Sequence, residues 1–308
     1  MRLHGNGSRI LANRSYRLYA KSDYGAKEIN YPFFKDYNLD VFRRIILRNS
    51  GGDATFSLFM DAFVQMLNKP LNVYIQNYQP VVNFINGEYY GILNLRERFD
   101  EKYFEIKFNI KESELDFLEN GITDVGTQNY YQETINFFTN NDLSLKANYE
   151  HALNYIDIEY YMDYYIAQIY SANIDWPHNN NVFFRKNKNY VEGANAKKEH
   201  DGKWRWLMKD LDLSFSDVTF NMITHTKENS IWGNYYKDII FNSLLQSSDF
   251  KNSFINRFAD LLNSIYQPEY IVNVIDVMQN VIRPEMPNYI NRWKLISSMS
   301  QWDYNIGS

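Results

Sequence analysis

Polar and apolar residues alternate from Arg14 to Lys21, placing Tyr16, Leu18 and Ala20 on one side and Arg17, Tyr19 and Lys21 on the other. That period of two predicts a strand with two unlike faces. A second strand is expected over VFRRIILR (41–48), ending at the turn-forming cluster Asn49-Ser50-Gly51-Gly52-Asp53, and a helix over Thr55–Leu67. Asn86-Gly87 lies between VVNFI and EYYGILNL, and a type I′ turn needs positive φ at both central residues, so an antiparallel hairpin is predicted there. Beyond it the period changes. Ile158, Tyr161, Met162, Tyr165, Ile166, Ile169 and Tyr170 recur at helical spacing behind Asp157 as N-cap. This packed helix runs into the proline- and asparagine-rich stretch 171–180, which ends it and begins a loop. Short strands are expected at Val182–Arg185 and Trp204–Met208, joined by a Lys-rich, Gly-containing exposed tip. Helices are expected over Tyr235–Leu245, Phe250–Tyr266 and Glu269–Val281. There is no internal repeat. The shift from strands to helices near Arg96–Asp100 predicts an α+β protein with a sheet-rich unit over 1–98 and a helical one over 99–308.

The 308 residues suffice for one large domain or two modest ones. Twenty-six Tyr and 21 Phe imply a core built largely from rings. A net charge of −5 and a pI near 5.6 offer no general attraction to nucleic acid or to an anionic membrane surface, so an anionic ligand needs a local cluster of cations. The absence of cysteine excludes disulfides, thiolate metal sites and a thiol nucleophile. No apolar run is long enough for a membrane span, and no basic-then-apolar leader follows Met1. The chain opens directly on RLHGNGS (2–8), so an upstream strand or leader is expected to lie outside it.

The candidate chemistry lies in two loops. Asp175 and Asn180 stand with four residues between them on the loop that leaves the buried helix, and Asp210 and Asp212 flank Leu211 after an aromatic strand. One carboxylate that accepts a hydroxyl proton, with an amide oxygen and further carboxylates that hold Mg²⁺ against phosphates, is the donor set of phosphoryl transfer. A helix-stop loop with Asx turns and a capped strand end account equally for the same residues.

Several ordered segments together resemble the CotH kinase family: GNGSR (5–9), NRSYRLYA (13–20), LRNSGGD (47–53), INGEYYGILNLRERFD (85–100), NIDWPHNN (173–180) and KWRWLMKDLDLSF (203–215), with PEMPNYINRW (284–293) in the tail. The resemblance implies a two-lobed, atypical protein-kinase-like fold. It also implies ATP and Mg²⁺ or Mn²⁺ as cofactors, and transfer to Ser or Thr of Ser-rich proteins in an extracellular, cell-surface or spore-coat setting. By motif, Asp175 is the catalytic-loop aspartate, Asn180 and Asp210 are metal ligands, and Asp212 assists or buttresses them. Gly5, Gly7 and Ser8 form a phosphate-covering turn, and Glu97 sits where a hinge meets adenine, the alternative being a surface ion pair with Arg96 or Arg98. Arg14 stands where the family carries Lys, and Asp61 is expected to pair with it across the first lobe. Lys209 and Ser216 replace the usual Trp and Gly. These departures keep open a pseudokinase or structural surface module; adenylyl transfer stays open because a fold does not fix a reaction, and sugar binding because of the many aromatics.

Overall fold

The structure, a computed structural model, describes residues 1–190, 197–227, 229–231, 234–236 and 238–307. The first third builds a five-stranded antiparallel sheet from β1 (Arg2–His4), β2 (Ser15–Tyr19), β5 (Arg44–Arg48), β6 (Tyr78–Ile85) and β7 (Glu88–Glu97), in the order β1-β2-β5-β7-β6. A two-residue pair, β3 (Ile29–Asn30) with β4 (Val41–Phe42), flanks it. The Asn86-Gly87 hairpin forms with both turn residues at positive φ.

The register puts unlike chemistry on the two faces of this sheet. Arg2 lies opposite Arg17, Arg17 opposite Ile46, Ile46 opposite Arg96, and Tyr19 opposite Arg44. Since side chains alternate along a strand, Arg2, Arg17, Arg44, Arg48 and Arg96 share one face. The other face buries Ile45 and Leu95 with Phe34 and Phe42, and Leu18 and Leu47 pack against them.

Helix α1 (Met60–Leu67) is shorter than the predicted 55–67. Asp53 explains the late start: its carboxylate accepts from Ser57 N (2.8 Å), Ser57 Oγ (2.7 Å) and Met60 N (2.8 Å). It folds the intervening residues into a turn and caps the helix from outside.

After β7 come α2 (Glu101–Phe108), capped by Asp100, and a second antiparallel sheet, two of whose four strands the sequence did not predict. Its order is β11-β10-β8-β9, from β8 (Leu115–Glu119), β9 (Ile122–Val125), β10 (Val182–Lys186) and β11 (Arg205–Leu207). The strands at 182 and 204 therefore pair as expected, but β8 and β9 extend their sheet. The connecting tip lies partly outside the described residues, at 191–196. Helices α3 (Asn129–Asn140), α4 (Lys146–Ala152) and α5 (Ile158–Tyr170) precede β10, and α5 starts at its Asp157 cap.

The rest is helical apart from one small ribbon. Helix α6 (Met222–Lys227) leads to β12 (Asn229–Ile231) and β13 (Asn234–Tyr236), then α7 (Ile239–Leu244), α8 (Ser248–Leu262), α9 (Pro268–Ile282), α10 (Met286–Trp293) and α11 (Met299–Gly307). The helix expected from Tyr235 thus begins four residues later. Asp238 accepts from Phe241 N at 2.9 Å and fixes the start, while 234–236 pair as a strand. Among the described residues no helix is long and apolar enough to cross a membrane.

One large core joins the two ends of the chain: Phe63, Val64 and Leu67 of α1 belong to the same buried cluster as Tyr161 and Tyr165 of α5, Leu211, and Tyr289 and Trp302 of the last helices. Trp302 is fully buried and donates from Nε1 to Ser57 O at 3.0 Å. Trp302→Ala is expected to destabilise the fold by about 3–5 kcal/mol, read as a lowered midpoint in urea unfolding.

Candidate functional site

The site is organised by a buried carboxylate on α1. Asp61 Oδ2 accepts from Arg96 Nη1 at 2.6 Å and lies 3.8 Å from Arg48 Nε, while Oδ1 accepts from Gln65 Nε2 (2.9 Å) and Leu211 N (3.0 Å). Burial alone would raise the pKa of Asp61, but Arg96 and Arg48, with the hydrogen bonds from Leu211 and Gln65, hold it near 2. The expected pairing with Arg14 is replaced by these two arginines. Position 14 falls outside the sheet face that they share, its side chain is exposed, and its backbone N donates to Tyr90 Oη at 2.7 Å.

Arg48 carries the network onward. Its Nη2 bridges Asp210 Oδ1 and Asp212 Oδ2, the latter at 2.7 Å. Asp212 Oδ2 also accepts from Gly52 N at 2.8 Å. Gly51 has φ +58°, and a Cβ there would lie 2.0 Å from Asp212 Oδ2, so only glycine lets the 51–53 turn close on this carboxylate. Burial pushes Asp212 up to about 7; Asp210 and Asp61 add to the rise and Arg48 opposes it. Leu211, fully buried, anchors the loop, and Phe215 rests against Phe63 and Tyr170.

The second loop arrives from α5. Trp176, buried against Tyr164 and Tyr165, holds it through a cis Trp176–Pro177 peptide, and His225 Nε2 donates to Trp176 O at 2.8 Å. Asp175 Oδ2 accepts from Asn179 Nδ2 (2.9 Å) and Asn180 Nδ2 (2.8 Å), and Oδ1 lies 3.7 Å from His178 Nε2. Burial raises the pKa of Asp175 above the ordinary aspartate value; the Asn179 bond and His178 oppose this and the charge of Asp210 adds to it. Asp175 and Asp210 are therefore electrostatic neighbours. Asn180 spends its amide N–H on Asp175.

Arg48 also lines a cleft of about 260 Å³ on the arginine side of the first sheet, together with His4, Arg17, Arg98, Glu119 and Lys209 among others. Arg17 Nε donates to His4 Nδ1 at 2.7 Å. Burial, then Arg17, Arg48, Lys209 and Arg98, push His4 down to about 3, so the imidazole is neutral and registers a positive local field. Lys209 forms an ion pair with both oxygens of Glu119, at 2.6 Å each, across the cleft floor.

The model for CotH kinase protein matches residues 1–308, the whole chain. The chain belongs to the CotH kinase family. No curated protein matches it. Of the residues picked out by the CotH motifs, Asp210 and Asp212 are both held by Arg48, a residue of the cleft lining, while Asn180 contacts Asp175, whose carboxyl feels the charge of Asp210. Gly5, Gly7 and Ser8 form a turn beside it: Gly5 has positive φ, a 3₁₀ turn spans Gly7–Ile10, and Asn49 Nδ2 donates to Ser8 O at 3.4 Å. Asn49 Oδ1 in turn accepts from Gly51 N at 3.2 Å, which ties this turn to the glycines that touch Asp212.

Glu97 points to the opposite sheet face from Arg96. It is buried, accepting from Tyr37 Oη (2.6 Å), Asn77 N (3.0 Å) and Asn77 Nδ2 (2.8 Å), so neither Arg96 nor Arg98 is its ion partner. The sequence reading missed Arg17, Arg48, Arg96 and the Gly51-Gly52 contact. The alternating arginines of β2, β5 and β7 were the signal that could have found them.

Among the described residues no three His, Asp or Glu side chains form a ready-made metal cage. The oxygen donors fit a hard cation nonetheless, because the Arg48 guanidinium already holds positive charge between Asp210 and Asp212. Mg²⁺ needs few protein ligands when phosphates and water supply the rest.

Two outcomes test this arrangement. Asp61→Ala leaves Arg96 buried without its carboxylate and is expected to cost about 3 kcal/mol or more in chemical denaturation. Because the folded pKa of Asp61 is held down to about 2, below the ordinary aspartate value of 3.8, its contribution is complete above 3.8 and disappears as pH falls toward 2. The gap between wild type and variant should therefore close between pH 4 and 2. Gly51→Ala is expected to destabilise by about 1–3 kcal/mol through the αL backbone and the clash with Asp212, whereas Gly7→Ala, which would meet nothing within 4 Å, is not.

Proposed function

We propose that this CotH kinase is an ATP-dependent protein kinase of two-lobed form, transferring the γ-phosphoryl group to Ser or Thr of Ser-rich extracellular or spore-surface proteins. The observation that carries the reading is a base-and-acid constellation, Asp175 with Asn180, Asp210 and Asp212, set against a sheet face and cleft lined with arginines. Phosphoryl transfer is catalysed mostly by positioning and charge stabilisation, and that arrangement offers both.

In this reading the acceptor hydroxyl lies at Asp175 Oδ1, the oxygen not engaged by Asn179 and Asn180. As the acceptor O–P bond forms and the bond to the β-phosphate bridging oxygen breaks, the hydroxyl proton passes to Asp175. The raised pKa of Asp175 suits it to accept that proton. Arg17, Arg48 and Lys209 neutralise the triphosphate, taking the role that the resemblance gave to Arg14. The turn carrying Gly5, Gly7 and Ser8 covers the phosphates with backbone N–H groups.

Asn180 and Asp210 would hold Mg²⁺ or Mn²⁺, which supplies charge neutralisation at the phosphates. Asp210 is the more accessible acid, with its side chain 34% exposed against 10% for Asp212. Asp212, fixed by Gly52 N and Arg48, holds the loop and assists from behind.

Incubation with γ-labelled ATP, Mg²⁺ and a Ser-rich peptide should label the peptide, with a mass gain of one phosphoryl group. Asp175→Ala and Asp210→Ala should each reduce transfer by about 10³-fold or more, the first by removing the proton acceptor and the second by removing a ligand of the metal. Full activity in either folded variant would overturn the assignment, and a gain of AMP would move it to adenylyl transfer. Because burial, with Asp210 and Asp61, raises the pKa of Asp212, Mg²⁺ is expected to displace a proton from this acidic loop and to bind more tightly as pH rises, read by calorimetry in buffers of different ionisation heat.

A further inference from the structure

Next to the cleft, and sharing Arg98 with it, lies an open cavity of about 610 Å³ whose walls carry Arg2, Tyr19, Lys21, Arg44 and Arg98. Three guanidinium groups surround one ring: the Cζ atoms of Arg2, Arg44 and Arg98 lie 5.7, 5.7 and 5.5 Å from the Tyr19 centroid. Arg98 Nη1 also donates to Tyr19 Oη at 3.0 Å. Like charges gathered on one sheet face repel unless acids or a ligand compensate them. Asp100 and Glu101 are the acids that do so here. Asp100 meets Arg44 at 3.1 Å and Arg98 at 3.2 Å, and Glu101 meets Arg44 at 2.7 Å.

Arg2 and Lys21 have no carboxylate partner among the described residues, and Arg2 stands directly across the strand pair from Arg17, a second arginine without one. Four cations of the cavity, three of them around the Tyr19 ring, thus face two carboxylates, a local excess of two positive charges on a chain whose net charge is −5. A phosphate monoester carries about −1.5 to −2 at neutral pH and offers oxygens matched to guanidinium forks.

We infer that this cavity is a recognition site for a phosphoserine of the acceptor protein, distinct from the nucleotide cleft. A segment already phosphorylated at one serine is held there while another serine reaches Asp175, so that one transfer favours the next. The site binds a peptide whatever the chemistry next door; it rests on the proposed kinase reading only in calling that peptide an acceptor. The shared residue, Arg98, makes the two cavities neighbours without making them one, because Arg2, Tyr19, Lys21 and Arg44 line only the outer one.

The test is binding of fluorescent Ser-rich peptides to the full chain without nucleotide, comparing a phosphoserine peptide with its Ser and Asp counterparts by anisotropy. The phosphoserine peptide should bind at least about tenfold more tightly than either, and saturating ATP with Mg²⁺ should leave it bound. Arg2→Glu with Lys21→Glu should abolish the preference; both side chains are exposed, and a thermal melt confirms that the variant is folded. Equal affinity for the three peptides, displacement by ATP, or a preference that survives the double charge reversal would each overturn the inference. Since no nucleotide or turnover enters the main comparison, a protein without kinase activity leaves this result readable.

Discussion

The carboxylate of Asp61 is the point on which the structure turns. It is buried, and so is Arg96, which it meets at 2.6 Å. Neither charge is tolerable there alone: an unpaired ion inside a protein costs several kcal/mol even after relaxation, and loses its charge if it can. Together they lock α1 against β7. The second oxygen of Asp61 accepts from Leu211 N, so the loop bearing Asp210 and Asp212 is positioned by the same residue. The sheet, its helix and the acidic loop are three pieces of distant sequence brought into register by one side chain.

That arrangement places opposite charges on the two walls of the cleft. Arg17 of β2, Arg48 of β5 and Arg96 of β7 line one side, Glu119 and Asp124 of the second sheet line the cleft as well, and Arg48 reaches on to Asp210 and Asp212. A guanidinium can hold two carboxylates with directed hydrogen bonds, which a lysine acting as a point charge does less selectively. Lys209 illustrates the difference. Its ammonium group is drawn to Glu119 on β8, away from the acids on either side of Leu211, and ties the second sheet to the cleft.

What could be seen in the sequence depended on range. The Asn86-Gly87 hairpin, the Asp157 cap and the strand at 14–21 are local, with turn chemistry, capping and period two sufficient to find them. The β8–β9 hairpin was also written locally, in Asn120-Gly121, both at positive φ. It was overlooked because its strands are too short for a period to stand out. Asp175, Asn180, Asp210 and Asp212 were singled out by the order of their motifs; Asn180 contacts Asp175, Arg48 joins Asp210 to Asp212, and the charge of Asp210 reaches Asp175. The partner of Asp61 was not legible. Arg14 and Arg96 are equally arginine in a string of letters, and only the register of β5 against β7 decides which one faces α1.

The last helices show why such a register needs the whole chain. Tyr289 Oη accepts from Asn13 Nδ2 at 2.9 Å, and Trp302 reaches the turn before α1. Trp293 packs edge-on to Tyr90 on β7, at a point where a Cβ on Gly91 would stand 2.7 Å from its indole nitrogen. Contacts spanning more than 200 residues brace both elements joined by Asp61 and Arg96. A buried ion pair is weak support for a fold when its partners can move, because desolvation offsets its attraction. Here the aromatic packing fixes the partners first. The ion pair then sets the geometry, and the acids beyond it are aligned by a frame whose stability comes from rings rather than from charge.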